Sequence, residues 1–167
     1  GASAHWIDTD TLVWNGVVGA SVKLVYSETG TLDEEFVSTN SLELSASSLT
    51  ETQKALVPHL ADWSAYSFSA DEATTKKLVK SQLVLASFDD DGEAVTATYV
   101  QHAKVLDALY TAGDDDADEA TLGIQYLDDV ISAAVWAPTA NSVKLKVYNA
   151  DKTEFASHDM AEDANGV

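Results

Sequence analysis

At 167 residues and 17.8 kDa, with 46% hydrophobic residues, the chain can bury a core and is too apolar for wholesale disorder. Its 28 acidic residues face 9 lysines and no arginine, a formal net charge of -19. That field repels phosphate backbones and anionic headgroups, which excludes nucleic acid and electrostatic membrane attachment as partners. The absence of cysteine excludes disulfides, thiol nucleophiles and thiolate metal sites, and no apolar run reaches the ~18 residues of a membrane span.

The first hundred positions alternate short apolar bursts with turn chemistry. Thr11-Leu12-Val13-Trp14 ends at Asn15-Gly16, a strong hairpin signal. Ser21–Ser27 has a period of two, with Val22, Leu24 and Tyr26 on one face, and predicts a half-buried strand. Glu35–Thr39 and Ser41–Ser45 are further strand candidates. Ser48–Val57 is expected to form helical turns stopped by Pro58. Ala70–Val79 carries Asp71 and Glu72 early and Lys76 and Lys77 late, the charge order that suits a helix dipole.

Ser81–Phe88 and Glu93–Val100 flank the acidic turn Asp89-Asp90-Asp91-Gly92 and predict a hairpin. Across residues 101–112, Val105, Leu106, Leu109 and Tyr110 fall at helical spacing. The acidic run 113–121 marks a domain boundary. Strand patterns return at Leu122–Tyr126, Val130–Ala137, Val143–Tyr148 and Phe155–Met160. The chain ends at Val167, short of the ~100 residues of an independent sandwich, so this second unit is expected to be incomplete.

Two stretches carry a family resemblance. Val130–Tyr148 places Trp136-Ala137-Pro138-Thr139-Ala140 between two alternating strands, with Leu122-Gly123 upstream. It resembles the start of carbohydrate-binding module family 48, also called the isoamylase N-terminal domain. Ala4-His5-Trp6-Ile7-Asp8 with Thr11–Trp14, joined by Pro58-His59-Leu60 and Val105-Leu106-Asp107, resembles the N2 domain of bacterial pullulanases of the Klebsiella type. The resemblance implies an all-β chain: an immunoglobulin-like sandwich with short helices over 1–112, a linker over 113–121, and a truncated family 48 module over 122–167. It also implies a parent of glycoside hydrolase family 13 that cleaves α-1,6-glucosidic linkages, with catalytic carboxylates on a barrel far downstream. His5, Trp6, Trp136 and Pro138 would then be structural motif residues.

For the chain itself the expectation is no catalytic site. Its carboxylates cluster in turns and in the linker, where a solvated face accounts for them, and a retaining glycosidase needs two such groups ~5 Å apart. Ser48, Ser64 and Ser81 lack a nucleophile-elbow context. His5, His59, His102 and His158 lack zinc-ligand spacing, so no metal cofactor is expected. Asp89, Asp91, Asp114 and Asp116 are the weak calcium candidates, and an EF-hand reading fails because Glu119 and Gln125 stand where Gly and Glu are required. Trp14, Trp63 and Tyr66 are the candidate sugar platforms, weighed against a role as core.

The expected partners are the remaining domains of the same polypeptide and, in the alternative, α-glucan. A third reading is a cell-surface protein-interaction sandwich unrelated to glycosidases. Acidity with abundant Ala, Ser and Thr suits a secreted or surface bacterial protein. A half sandwich would expose strand edges and an apolar face, so residues 122–167 are expected to be poorly ordered, docked on the first domain, or paired by strand exchange with another copy.

Overall fold

In a computed structural model the described residues are 3–32, 36 and 40–167. The strand expected at Glu35–Thr39 lies, apart from Phe36, outside them. The chain divides into two compact units, Gly1–Leu109 and Tyr110–Val167.

Among the described residues, seven strands build the first unit: β1 (Ala4–Asp8), β2 (Thr11–Trp14), β3 (Ser21–Ser27), β4 (Asn40–Ser47), β5 (Ser64–Ser67), β6 (Gln82–Phe88) and β7 (Ala94–Gln101). They pair in the order β1-β2-β5-β4-β3-β6-β7, and β7 closes back on β1. The chain is predominantly β, as expected, but closure distinguishes it from two separate immunoglobulin-like sheets. β4 pairs with β3 through Asn40–Leu44 and with β5 through Ser45–Ser47. β7 pairs with β6 from Ala94 to Tyr99 and with β1 only at Val100 and Gln101. Each of these two long strands therefore turns a corner from one sheet to the other, giving a flattened barrel.

Alternation sorts the side chains into three cores. Trp6, Leu12, Trp14, Leu24, Tyr66 and Leu85 point inward and form the barrel interior. The opposite face of β1, β2 and β5 contributes Ile7, Val13 and Ala65, covered by Val57 and Leu60. The opposite face of β3 and β6 contributes Val25, Val84, Ala86 and Phe88, packed by Leu32 and Phe36. β6 is thus apolar on both faces because both are covered, and each fully buried Val, Leu or Ile contributes roughly 1.5–3 kcal/mol.

The helices sit within the segments where the sequence predicts them. α1 (Glu51–Leu56) opens with a capping box: Thr50 Oγ1 accepts from Gln53 N–H at 3.2 Å and Gln53 Oε1 accepts from Thr50 N–H at 3.0 Å. The Gln53 amide also donates to Thr11 Oγ1 at 3.0 Å, tying the helix to β2. Pro58 starts a single 3-10 turn, Pro58–Leu60. In α2 (Glu72–Val79) the N-cap Asp71 accepts from Thr74 N–H at 2.8 Å. α3 (Ala103–Tyr110) sends Val105 into the barrel core.

The expected hairpin at Asn15-Gly16 does not form. β2 pairs with β1 and β5, while β3 pairs with β4 and β6. Gly16 serves another purpose: a Cβ there would lie 2.1 Å from the Trp14 indole, so only glycine lets the chain pass over that ring.

The second unit holds two two-stranded antiparallel sheets, β8 (Gly123–Leu127) with β9 (Val130–Ala134), and β10 (Lys144–Tyr148) with β11 (Glu154–Asp159). Ile124, Tyr126, Ile131 and Phe155 are exposed on them, at 50%, 76%, 67% and 72%.

Candidate functional site

The sequence-nominated residues separate by burial. Trp6, Trp14 and Tyr66 lie in the barrel core at 0%, 1% and 6% exposure. Trp14 and Tyr66 therefore present no open ring face, because the alternation of β2 and β5 turns them inward. Trp63 differs. It precedes β5, is half-buried, and packs on the outer core of Ile7, Val13, Val57 and Leu60. The His5 ring stands edge-on to it, with centroids 5.5 Å apart and planes at 69°.

His5 faces outward from β1 because Ala4 and Trp6 face in. Burial holds its pKa below the ordinary imidazole value, and the nearby His59 charge lowers it further. His59 is exposed on the 3-10 turn. One outer patch thus gathers His5, His59 and Trp63. Sequence reading named all three but did not join them, since their approach depends on β2 pairing with β5 across an intervening segment of some fifty residues. Chemically, the patch offers an aromatic surface rimmed by polar imidazoles, the composition that stacks on an apolar ring face and hydrogen-bonds its hydroxyls.

The second motif is held by a tail that sequence reading missed. Trp136 is half-buried and its Nε1–H donates to the Asn165 carbonyl at 3.1 Å. Pro138 is buried beneath Gly166, whose φ is +76°. Next to it, a cavity of about 220 Å³ is lined by Val135, Ala137, Val143, Met160 and Glu162 among others.

The acidic candidates organise backbone. Asp89 Oδ1 accepts from the N–H groups of Asp91 and Glu93 at 3.0 and 2.9 Å. Asp116 accepts from Gly113 N–H at 2.7 Å. Asp116 and Asp118 share a side-chain hydrogen bond that lowers the pKa of the first and raises that of the second. Asp91 and Asp114 join no such cluster: among the described residues no group of three or more His, Cys, Asp or Glu side chains converges as a metal site would require.

Comparison with known proteins gives a consistent set of similarities. Residues 1–108 match the family model described as the pullulanase N2 domain. The chain is 34% identical over 167 residues to a pullulanase of Klebsiella pneumoniae, and 29% identical over 175 residues to the chloroplastic pullulanase 1 of Arabidopsis thaliana. Each alignment takes in 98% of this chain but only 15% and 17% of those proteins. The crystal structure of PulA from Klebsiella oxytoca superposes on 99% of the chain with a TM-score of 0.88 at 33% identity, using 16% of its own length.

Proposed function

This chain belongs to the pullulanase N2 domain family, and we propose that it is a non-catalytic accessory region of a longer pullulanase-type enzyme that hydrolyses α-1,6-glucosidic linkages. In this reading it spaces and supports a catalytic domain supplied elsewhere in the same polypeptide. The observation that carries it is the joint match: a family model over 1–108 and a fold likeness over 99% of the chain, each confined to a small part of a pullulanase. We assign 1–112 to the N2 domain, 113–121 to a linker, and 122–167 to the opening of a family 48 module of the kind that precedes family 13 barrels. The exposed apolar residues of β8, β9 and β11 support the remaining domains as partners, since isolated two-stranded sheets are marginal in water. Residual strand exchange with a second copy is the competing use of those edges. The strongly acidic surface supports secretion or a cell-surface location.

The test is an assay of reducing-sugar release from pullulan by this chain and by the longer polypeptide that contains it. Hydrolysis by the longer polypeptide alone is expected; hydrolysis by this chain would refute the accessory role.

A second reading is favoured by one observation, the half-buried Trp63 ring with His5 against its edge. It would act as a weak α-glucan platform, with binding of ~mM order for a single stacked ring. Calorimetry with maltotriose should give saturable heat that Trp63→Ala abolishes and Tyr126→Ala leaves intact. A flat titration up to ~10 mM would remove this reading.

A further inference from the structure

The dipeptide Asn-Gly occurs twice, at Asn15-Gly16 and at Asn165-Gly166. Its asparagine side chain can close on the next main-chain nitrogen. The five-membered ring forms intramolecularly, and glycine has no Cβ to shield that nitrogen. Closure requires that the two groups be free to meet, and the fold treats the two copies in opposite ways.

Asn165-Gly166 is clamped on every side. Asn165 Nδ2 donates to the Asp115 carbonyl at 3.3 Å, and its main-chain N–H donates to Asp163 Oδ1 at 2.9 Å. The attacking nitrogen would be that of Gly166, whose N–H donates to Asp163 O at 3.3 Å. Both carbonyls of the dipeptide accept in turn, from Trp136 and Ala137. Asp91-Gly92, which could close by the same route, is also held: the Gly92 N–H donates to Asp89 O at 3.1 Å.

Asn15-Gly16 lies between β2 and β3. Asn15 is exposed, and among the described residues neither its side chain nor the Gly16 N–H has a hydrogen-bond partner. The first anchors downstream are Val17 O, which accepts from Ser87 Oγ at 3.0 Å, and Ala20 N–H, which donates to Phe88 O at 2.7 Å. Gly16 itself sits over the Trp14 indole, where a Cβ would lie 2.1 Å from the ring. Ring closure brings the Asn15 side chain to the Gly16 nitrogen, so the moving group is the solvated one.

We propose that Asn15 is a site of spontaneous deamidation and isomerisation, and that the folded chain confines this reaction of Asn-Gly to that copy. The Gly16 main-chain nitrogen, on losing its proton to solvent base, bonds to Asn15 Cγ. The Cγ–Nδ2 bond breaks and Nδ2 leaves as ammonia. Water then opens the succinimide at either carbonyl. Attack at Cγ leaves aspartate in a normal main chain. Attack at the former main-chain carbonyl leaves isoaspartate, with the chain running through the side chain. Nothing is oxidised or reduced, and water is the sole co-reactant.

The two products differ in what they do to the barrel. Aspartate adds a charge at an exposed position and leaves the path of the chain unaltered. Isoaspartate inserts a methylene into the main chain between the buried Trp14 and the glycine that must sit over its ring. It therefore shifts the residue whose missing Cβ this packing depends on.

Peptide mapping after incubation in mildly alkaline buffer tests this, with sequence-matched peptides run alongside to give the intrinsic rate of each dipeptide. In the folded chain Asn15 should convert close to its peptide rate and give both products. Asn165 should fall below its own peptide rate by about tenfold or more, since its hydrogen bonds must open first. Suppression of Asn15 as strong as that of Asn165 would overturn the proposal, because the Gly16–Trp14 packing would then block closure. So would unsuppressed conversion at both, which would leave the fold no part in the choice. Asn15→Gln, whose ring would be six-membered, should remove the mass gain of the folded chain; its persistence would place the reaction elsewhere. Urea unfolding of the aged isoaspartyl fraction should come at lower denaturant than that of Asn15→Asp, and equal midpoints would overturn the consequence assigned to the inserted methylene.

Discussion

Trp136 Nε1–H donates to the Asn165 carbonyl across 29 positions of sequence. Ala137 N–H donates to Gly166 O at 3.0 Å beside it, so the Trp-Ala-Pro turn is held by main-chain groups of the tail. Gly166 is strained for any other residue: its φ is +76°, and a Cβ would lie 2.8 Å from Pro138 Cβ and 3.4 Å from Tyr110 Cε1. Gly166→Ala is expected to cost about 1–3 kcal/mol locally and to speed exchange of the Ala137 amide. Asn165→Ala keeps the accepting carbonyl and should leave that amide almost unchanged. Equal effects from the two substitutions would show that the side chain of Asn165, and not the tail backbone, holds the turn.

In the barrel core, Trp6 Nε1 is buried without a hydrogen-bond partner among the described residues, and the indole stands 5.6 Å from the Phe68 ring at 60°. A buried donor left unsatisfied costs roughly 1–3 kcal/mol. Trp6→Phe removes the donor while keeping an aromatic ring in the core, whereas Trp6→Ala removes both and opens a cavity at ~3–5 kcal/mol. Urea denaturation should therefore find Trp6→Phe under about 2 kcal/mol and well below Trp6→Ala. If the two variants lose equal stability, the indole N–H is satisfied by an ordered water and its burial carries no penalty.

Local chemistry was legible in the sequence and long-range pairing was not. Asp71, Glu72 and the lysines of α2 marked a helix through their charge order, and the structure adds that Asp71 is its N-cap, because dipole and capping effects act within a turn. The acidic turn Asp89–Gly92 marked the β6–β7 hairpin for the same reason. β5 was missed: Ser64-Ala65-Tyr66-Ser67 is too short to show a period, and only its pairing with Leu12 and Val13 makes it a strand. The site suffered likewise. Trp63 and His5 were named singly, and their contact exists only because β1 and β5 both pair with β2.

Asn15-Gly16 shows how a sound local signal can mislead, and it yields a direct test. The dipeptide suits a two-residue hairpin, yet the glycine is there because the Trp14 ring occupies the space of its Cβ, 2.1 Å away. Gly16→Ala must displace a large ring that is itself fixed in the core, an overpacking cost of about 1–3 kcal/mol. Asn15→Ala, at an exposed position, should stay within about 0.5 kcal/mol. Were the pair acting as a hairpin turn, the two substitutions would be comparably damaging. Thermal denaturation of both variants separates these outcomes.

The His5–Trp63 patch should make stability depend on pH in a stated direction. Burial, and then the charge of His59, disfavour the His5 imidazolium, so the folded chain binds that proton less readily than the unfolded chain. As pH falls through the ordinary imidazole value of about 6.5, the unfolded state gains the proton first and folding stability declines. The decline ends once pH is low enough to protonate His5 in the folded state as well. His59→Asn removes the neighbouring charge, raises the folded-state pKa of His5 and narrows the window, and His5→Asn abolishes this contribution. The effect is modest because His5 is only half-buried, so the decisive reading is the NMR titration of its ring protons. A His5 midpoint at or above that of an unfolded peptide would show that burial does not control the imidazole, and one unmoved by His59→Asn would show that His59 does not.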